Sequence, residues 1–172
     1  MDRLYIDTLE FARLGRKLEG RAPLQQFSRL VGDLPAQAGD AVVSWSLSGE
    51  STLAGLSFLD VRVQACVTLL CQRCLSPFEY PVDSRNRLQL VKFEADLEDE
   101  SDLDEDEIER IVGSKRFDVL ELVEDELILG LPYVPRHEVC PSDPTLPYAG
   151  AKEVERNVRP SPFAVLGKLK KD

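Results

Sequence analysis

Leu59-Asp60-Val61-Arg62-Val63-Gln64-Ala65-Cys66-Val67-Thr68-Leu69-Leu70-Cys71 alternates apolar and polar side chains along its length. Leu59, Val61, Val63, Ala65, Val67, Leu69 and Cys71 share one face, with Asp60, Arg62, Gln64, Cys66 and Thr68 opposite. A period of two sustained this far is the pattern of a strand with one face buried and one in water. Working outward, Val43, Trp45 and Leu47 alternate with serines before a turn at Gly49-Glu50-Ser51. After the long strand, Gln72–Pro77 reads as a turn. Phe78, Tyr80 and Val82 open a return strand that extends through Leu88 and Leu90 towards Phe93. The expected core is therefore an antiparallel sheet over about residues 40–93.

The flanks read as helical. Asp7 and Glu10 make a capping box ahead of Leu9, Phe11, Leu14 and Leu18. Pro23 suits the first turn of a second short helix carrying Leu24, Phe27, Leu30 and Val31, so residues 1–35 are expected to form a helical arm. On the far side, Asp118 and Glu121 cap a helix that runs to Gly130 and Leu131. It places Leu120, Val123, Leu127 and Leu131 on one stripe and ends before Pro132. Its carboxylates, Glu121, Glu124, Asp125 and Glu126, read as a solvated face. Residues 132–172 are expected to be loop and a basic tail, in which Ser161 and Pro162 start a short C-terminal helix with Phe163, Leu166 and Leu169. The fold class this predicts is α+β, a single domain with helices packed on one side of the sheet.

The net charge of −10 is concentrated. Residues 94–109 hold eleven acidic side chains and no basic one, and the rest of the chain holds twenty acids against twenty-one bases. The run has too few apolar groups to enter a core and reads as a mobile acidic loop. Outside it the body is close to neutral, so overall acidity does not argue against an anionic partner.

Cys71-Gln72-Arg73-Cys74 at the expected hairpin tip is answered by His137-Glu138-Val139-Cys140 beyond the helix. Each pair leaves two residues between its donors, which lets one turn aim both at a single ion. Three thiols and an imidazole satisfy tetrahedral Zn²⁺, and four protein ligands leave no open position for water. The predicted ligands are Cys71, Cys74, His137 and Cys140 around one structural zinc. Cys66 falls on the opposite strand face from Cys71 and does not join them. The alternative is a pair of buried cysteines at a turn with a surface histidine. A thioredoxin-like redox reading fits poorly, because a β-like run rather than a helix follows the CxxC.

No phosphate-binding glycine loop, Rossmann fingerprint or nucleophile elbow is present, and the chain has one histidine. A zinc deaminase would place an HxE ahead of its CxxC, whereas here the order is reversed and residue 139 is Val139. No enzymatic activity and no small-molecule substrate are expected. No apolar run approaches the roughly 18–20 residues that span a bilayer. Met1-Asp2-Arg3-Leu4 is not basic as a signal peptide would be. With so few cysteines the chain is read as cytoplasmic, without a membrane partner.

Cys71-Gln72-Arg73-Cys74-Leu75-Ser76-Pro77-Phe78 resembles the Cys-x-Arg-Cys-x-x-Pro-Phe signature of the YceD family, the large ribosomal RNA subunit accumulation proteins. The stretch from Leu122 to Pro132, followed by Pro135-Arg136-His137, is similar to that family's second block. Pro162-Phe163-Ala164-Val165-Leu166 with Lys168-Leu169-Lys170 resembles its third. The resemblance implies a non-enzymatic bacterial factor for synthesis, processing or stability of 23S rRNA, acting on ribosomal RNA or a pre-ribosomal particle. Arg73, Arg85, Arg87, Arg159, Lys168, Lys170 and Lys171 are the side chains expected to meet phosphates. The competing expectation is a protein-binding adaptor whose acidic loop engages a basic ribosomal protein.

Overall fold

The computed structural model describes residues 4–97 and 108–141. The chain forms β1 (Tyr5–Ile6), α1 (Thr8–Arg13), β2 (Lys17–Pro23), α2 (Ser28–Val31), β3 (Val42–Ser51), β4 (Ser57–Leu70), β5 (Pro77–Val91), β6 (Glu109–Val112), β7 (Phe117–Asp118) and α3 (Val119–Leu129). The architecture is α+β. Strands β2-β3-β4-β5-β6 make a five-stranded sheet in that order, and β1 pairs with β7 in a separate two-stranded ribbon. Neighbouring strands are antiparallel throughout the large sheet except β5 and β6, which run parallel.

The long alternation decides the layering. Leu59, Val61, Val63, Val67 and Leu69 are buried on one face of β4, matched across β3 by Val43, Trp45 and Leu47. Val82 and Leu88 extend that face onto β5, opposite Ala65 and Leu59. All three helices cover it. α1 approaches so closely that a Cβ on Gly49 would stand 2.6 Å from the Ala12 Cα, and α3 reaches Val82 through Gly130. Phe11, Leu24, Phe27, Leu30, Val119, Val123 and Leu127 complete the core. The other face stays open and polar. Reading across β3, β4 and β5, it presents Ser46, Arg62 and Arg85 in one row and Ser48, Asp60 and Arg87 in the next.

Several sequence expectations need correction. The N-terminal third is not a helical arm, because Lys17–Pro23 is an edge strand paired with β3. Its reading failed because Gly15 (φ +58°) ends α1 early, and Gly20 looks like a helix interruption. In the structure the Trp45 ring lies over Gly20, where a Cβ would stand 2.6 Å from the indole. Pro23 closes β2 rather than opening a helix. The sheet thus reaches beyond residues 40–93 at both edges. The turn after β3 falls at Thr52–Leu56, with Gly55 at φ +85°. Of the acidic run, Glu94–Leu97 is a 3-10 turn and Glu109 opens β6. The remainder of that run, and the C-terminal helix expected after Ser161, lie outside the described residues.

The carboxylates of α3 are not all solvated. Asp118 caps the helix as expected, accepting from the Leu120 N–H. Glu124, however, is 6% exposed. Its carboxylate accepts from the backbone N–H groups of Arg29 and Leu30 at 2.8 and 3.2 Å and from the Arg29 Nε at 3.0 Å. It therefore caps α2, whose own N-cap Phe27 offers no side-chain acceptor. Glu126, also buried, accepts from Ser84 Oγ and Asn86 Nδ2 on β5. One carboxylate fastens α3 to α2 and the other fastens it to the sheet.

Glu124→Ala strands two helix N–H groups and leaves the Arg29 side chain to Asp125 and the Glu121 carbonyl, so unfolding free energy in urea should fall by about 2–3 kcal/mol. Asp125→Ala removes only an exposed partner of Arg29 and should cost about 0–1 kcal/mol. Equal losses from the two variants would show that Glu124 is not the capping group.

Candidate metal centre

β4 and β5 pair without interruption from Ser57↔Leu90 to Leu70↔Pro77, and the ladder delivers Cys71–Ser76 as a tight tip. The Cys71 N–H donates to the Ser76 carbonyl at 3.0 Å, and the Leu75 N–H donates to the Cys71 carbonyl at 2.9 Å. Leu75 takes φ +58°, a left-handed conformation unusual for a branched side chain. After α3, Pro132 ends the helical path and the chain runs back along the tip. The Gln72 N–H donates to the Pro135 carbonyl at 2.9 Å, which fixes where His137 and Cys140 arrive.

The two sequence pairs meet. The donor atoms of Cys71, Cys74, His137 and Cys140 lie within 4.8 Å of one another. Cys71 Sγ is 3.8 Å from Cys140 Sγ, and His137 Nδ1 is 3.4 Å from Cys74 Sγ and 4.0 Å from Cys140 Sγ. A tetrahedral ion with metal–sulfur bonds of about 2.3 Å and a metal–nitrogen bond of about 2.05 Å separates its sulfurs by about 3.8 Å, and sulfur from nitrogen by about 3.6 Å. The shorter separations match those values and the widest, up to 4.8 Å, exceeds them by about 1 Å, so the four side chains could close on one metal ion through small side-chain shifts. Cys66 is exposed on the open sheet face and stands apart from them.

Supporting groups orient the ligands. The Phe78 ring packs on the imidazole of His137, centroids 4.7 Å apart and planes tilted by 40°. Arg73 donates from Nε to Cys140 Sγ at 3.0 Å and from a terminal nitrogen to the His137 carbonyl at 3.2 Å. The Arg73 charge is reinforced by that bond to sulfur, which raises its pKa. Burial pushes the Cys71 thiol up. The backbone N–H groups of Cys74, His137 and Arg73, joined by the His137 side chain, outweigh burial and bring it down to about 5. At Cys140 burial prevails and the thiol is raised, against the pull of Arg73. Such a division, one ready thiolate beside a protonated thiol, suits metal capture with proton release.

The basic residues expected at an RNA contact fare differently. Arg73 is drawn into the cluster by its bonds to Cys140 and His137. Arg87 is held by Glu50 at 2.7 Å and Asp60 at 3.4 Å, and it stacks on Phe58. Arg85 lies 3.9 Å from Asp83, whose carboxyl is held below its usual range first by the Arg62 hydrogen bond. The sheet-face arginines are thus largely matched by carboxylates. Arg159, Lys168, Lys170 and Lys171 lie outside the described residues. Sequence reasoning missed Glu124 and Glu126, which no motif marks.

The arrangement defines a class first: an α+β protein whose hairpin tip and post-helix loop share a Cys₃His cluster. Residues 59–170 match the family described as "Large ribosomal RNA subunit accumulation protein YceD", and the chain belongs to that family. It is 31% identical over 172 residues to the Large ribosomal RNA subunit accumulation protein YceD of Haemophilus influenzae (strain ATCC 51907 / DSM 11121 / KW20 / Rd), covering 97% of this chain and 95% of the relative. No solved structure matches the chain. No helix among the described residues is long and apolar enough to cross a membrane.

A folded-state thiol pKa near 5, against an ordinary value of 9.0, stabilises the fold fully above the ordinary value. That contribution is lost as pH falls through about 5. In chelator-treated protein, the thiolate ultraviolet absorbance that Cys71→Ser removes should titrate with a midpoint near 5. A midpoint near the ordinary value would refute the backbone stabilisation of this thiolate.

Proposed function

We propose that this protein is a non-enzymatic ribosome-biogenesis factor. It supports synthesis, processing or stability of 23S rRNA in the cytoplasm by contacting ribosomal RNA or a pre-ribosomal particle. Family membership carries this reading, since the relative's name ties that protein to accumulation of large-subunit ribosomal RNA. The Cys₃His cluster supplies its physical basis. In this reading Cys71, Cys74, His137 and Cys140 bind Zn²⁺, which is structural: it joins the β4–β5 tip to the chain after α3 and presents both as one rigid surface. Four protein ligands leave the ion no site at which to activate water, and the single histidine is committed to the cluster.

A second reading, a protein-binding adaptor whose acidic residues 94–109 engage a basic ribosomal protein, draws on the concentration of eleven carboxylates there. The two separate on a titration of the purified chain against large-subunit RNA fragments and against basic ribosomal proteins at several salt concentrations. RNA binding that weakens steeply with salt supports the first reading. Binding confined to the proteins, and lost when residues 98–107 are deleted, supports the second.

Protein purified without chelator should contain about one zinc ion per chain by elemental analysis, the outcome expected of a four-ligand Cys₃His site. The double variant Cys71→Ser/Cys74→Ser should contain none and melt at lower temperature. Metal-free protein from zinc-replete cells, with wild-type stability, would overturn the zinc assignment.

A further inference from the structure

We propose that the outer surface of the Cys₃His knuckle is a contact site for unpaired RNA, with Tyr133 as its stacking platform. The inference rests on the RNA-binding reading above and assigns it a surface. Leu75 is the observation that prompts it. Its φ of +58° is a conformation glycine or asparagine adopts at lower cost, and its side chain is 68% exposed. The backbone strain gains the core nothing. A branched apolar side chain kept at the tip under those terms is explained by something outside the fold that it touches.

The segment pinned to the tip also carries exposed apolar and aromatic side chains. Val139, one residue before Cys140, is 84% exposed, and Tyr133, just ahead of the pinned Pro135, is fully exposed. Both lie on the segment that the Gln72–Pro135 hydrogen bond and the cluster hold against the tip. Arg136 is exposed and has no ion-pair partner among the described residues, although Glu138 is exposed two positions on. Arg73 spends two of its donors on Cys140 and His137, which fixes the guanidinium while its other N–H groups remain available. An exposed aromatic ring, apolar neighbours and two anchored or unpaired arginines form a combination that takes a splayed base and its phosphates.

The other candidate surfaces suit RNA less well. On the open sheet face, Arg62 and Arg87 are ion-paired with Asp83, Glu50 and Asp60, so phosphate would have to displace them. The trough between β6 and α3 is lined by Glu109, Asp118, Glu121, Asp125 and Glu126 against two arginines, Arg29 and Arg116. Arg29 is ion-paired with Glu124 and Asp125, so the balance of the trough is acidic and unfavourable to phosphate. Duplex RNA offers no unstacked base to Tyr133, so the chemistry selects single strands.

The test uses the full zinc-loaded chain and fluorescence anisotropy with a fluorescein-labelled single-stranded RNA of mixed sequence and its duplex. The parent should prefer the single strand. Tyr133→Ala should weaken that binding about five- to hundredfold, the range for a lost base–aromatic stack. Arg136→Ala should weaken it with a shallower salt dependence. Leu75→Gly should weaken it while leaving the melting temperature unchanged or higher, a combination that a purely structural role for Leu75 cannot produce. Arg85→Ala/Arg87→Ala should lose less than Tyr133→Ala. If the parent binds single strands but Tyr133→Ala and Leu75→Gly bind equally well, the knuckle assignment is overturned and the RNA reading stands. If the parent binds neither RNA form at low salt, both fall. If Tyr133→Ala instead releases a ribosomal protein with RNA binding intact, the patch is a protein dock and the proposal is wrong.

Discussion

The β4–β5 ladder is the constraint on which the rest of the structure depends. Its uninterrupted register from Ser57↔Leu90 to Leu70↔Pro77 settles two things at once. It sends Leu59, Val61, Val63, Val67 and Leu69 to one face, which all three helices then cover. It also fixes the projection and orientation of the Cys71–Ser76 tip. A slip of one residue would exchange the faces, exposing the valines and burying Asp60, Arg62 and Gln64. The site would move with them, because Cys71 continues the buried face at the end of the strand and is itself inaccessible to solvent.

Carboxylates perform the second structural task. Glu124 and Glu126 lie two residues apart on α3 and therefore diverge, one reaching the N-terminus of α2 and the other Ser84 and Asn86 on β5. Helix positions usually sorted as outside because they are charged here act as the fasteners between layers. Each carboxylate meets more than one donor, the condition under which a buried carboxylate is tolerated. α3 in turn carries Pro132 and the returning chain to the hairpin tip. The placement of His137 and Cys140 thus traces back through the helix to those two contacts.

Much of this was legible in the sequence, for identifiable reasons. The period of two around Leu59–Cys71, the Asp7 and Asp118 caps and the paired two-residue spacings are local signals, and each has its counterpart in the structure. What escaped was non-local. β2 hid behind Gly15, which turns the chain at φ +58°, and Gly20, whose purpose is visible only with Trp45 packed on the strand. β6 depends on a parallel partner distant in the chain. Glu124 and Glu126 read as solvent-facing because their partners lie on other elements. Arg73 reads in the sequence only as a basic side chain, because its bond to the Cys140 sulfur exists only once the loops meet.

The distance in sequence between the two halves of the cluster has a consequence in polymer terms. Cys74 and His137 are 63 positions apart, so a cross-link at the knuckle closes a long loop. In the chain-entropy view such closure removes about 4 kcal/mol of freedom from the unfolded ensemble. The acidic residues 94–109 fall wholly inside that loop. Because closure entropy grows only logarithmically, doubling such a loop costs about 0.6 kcal/mol. The length and charge of the acidic stretch can therefore drift over evolution at little cost to stability, while the hairpin and the segment after α3 remain bound to each other.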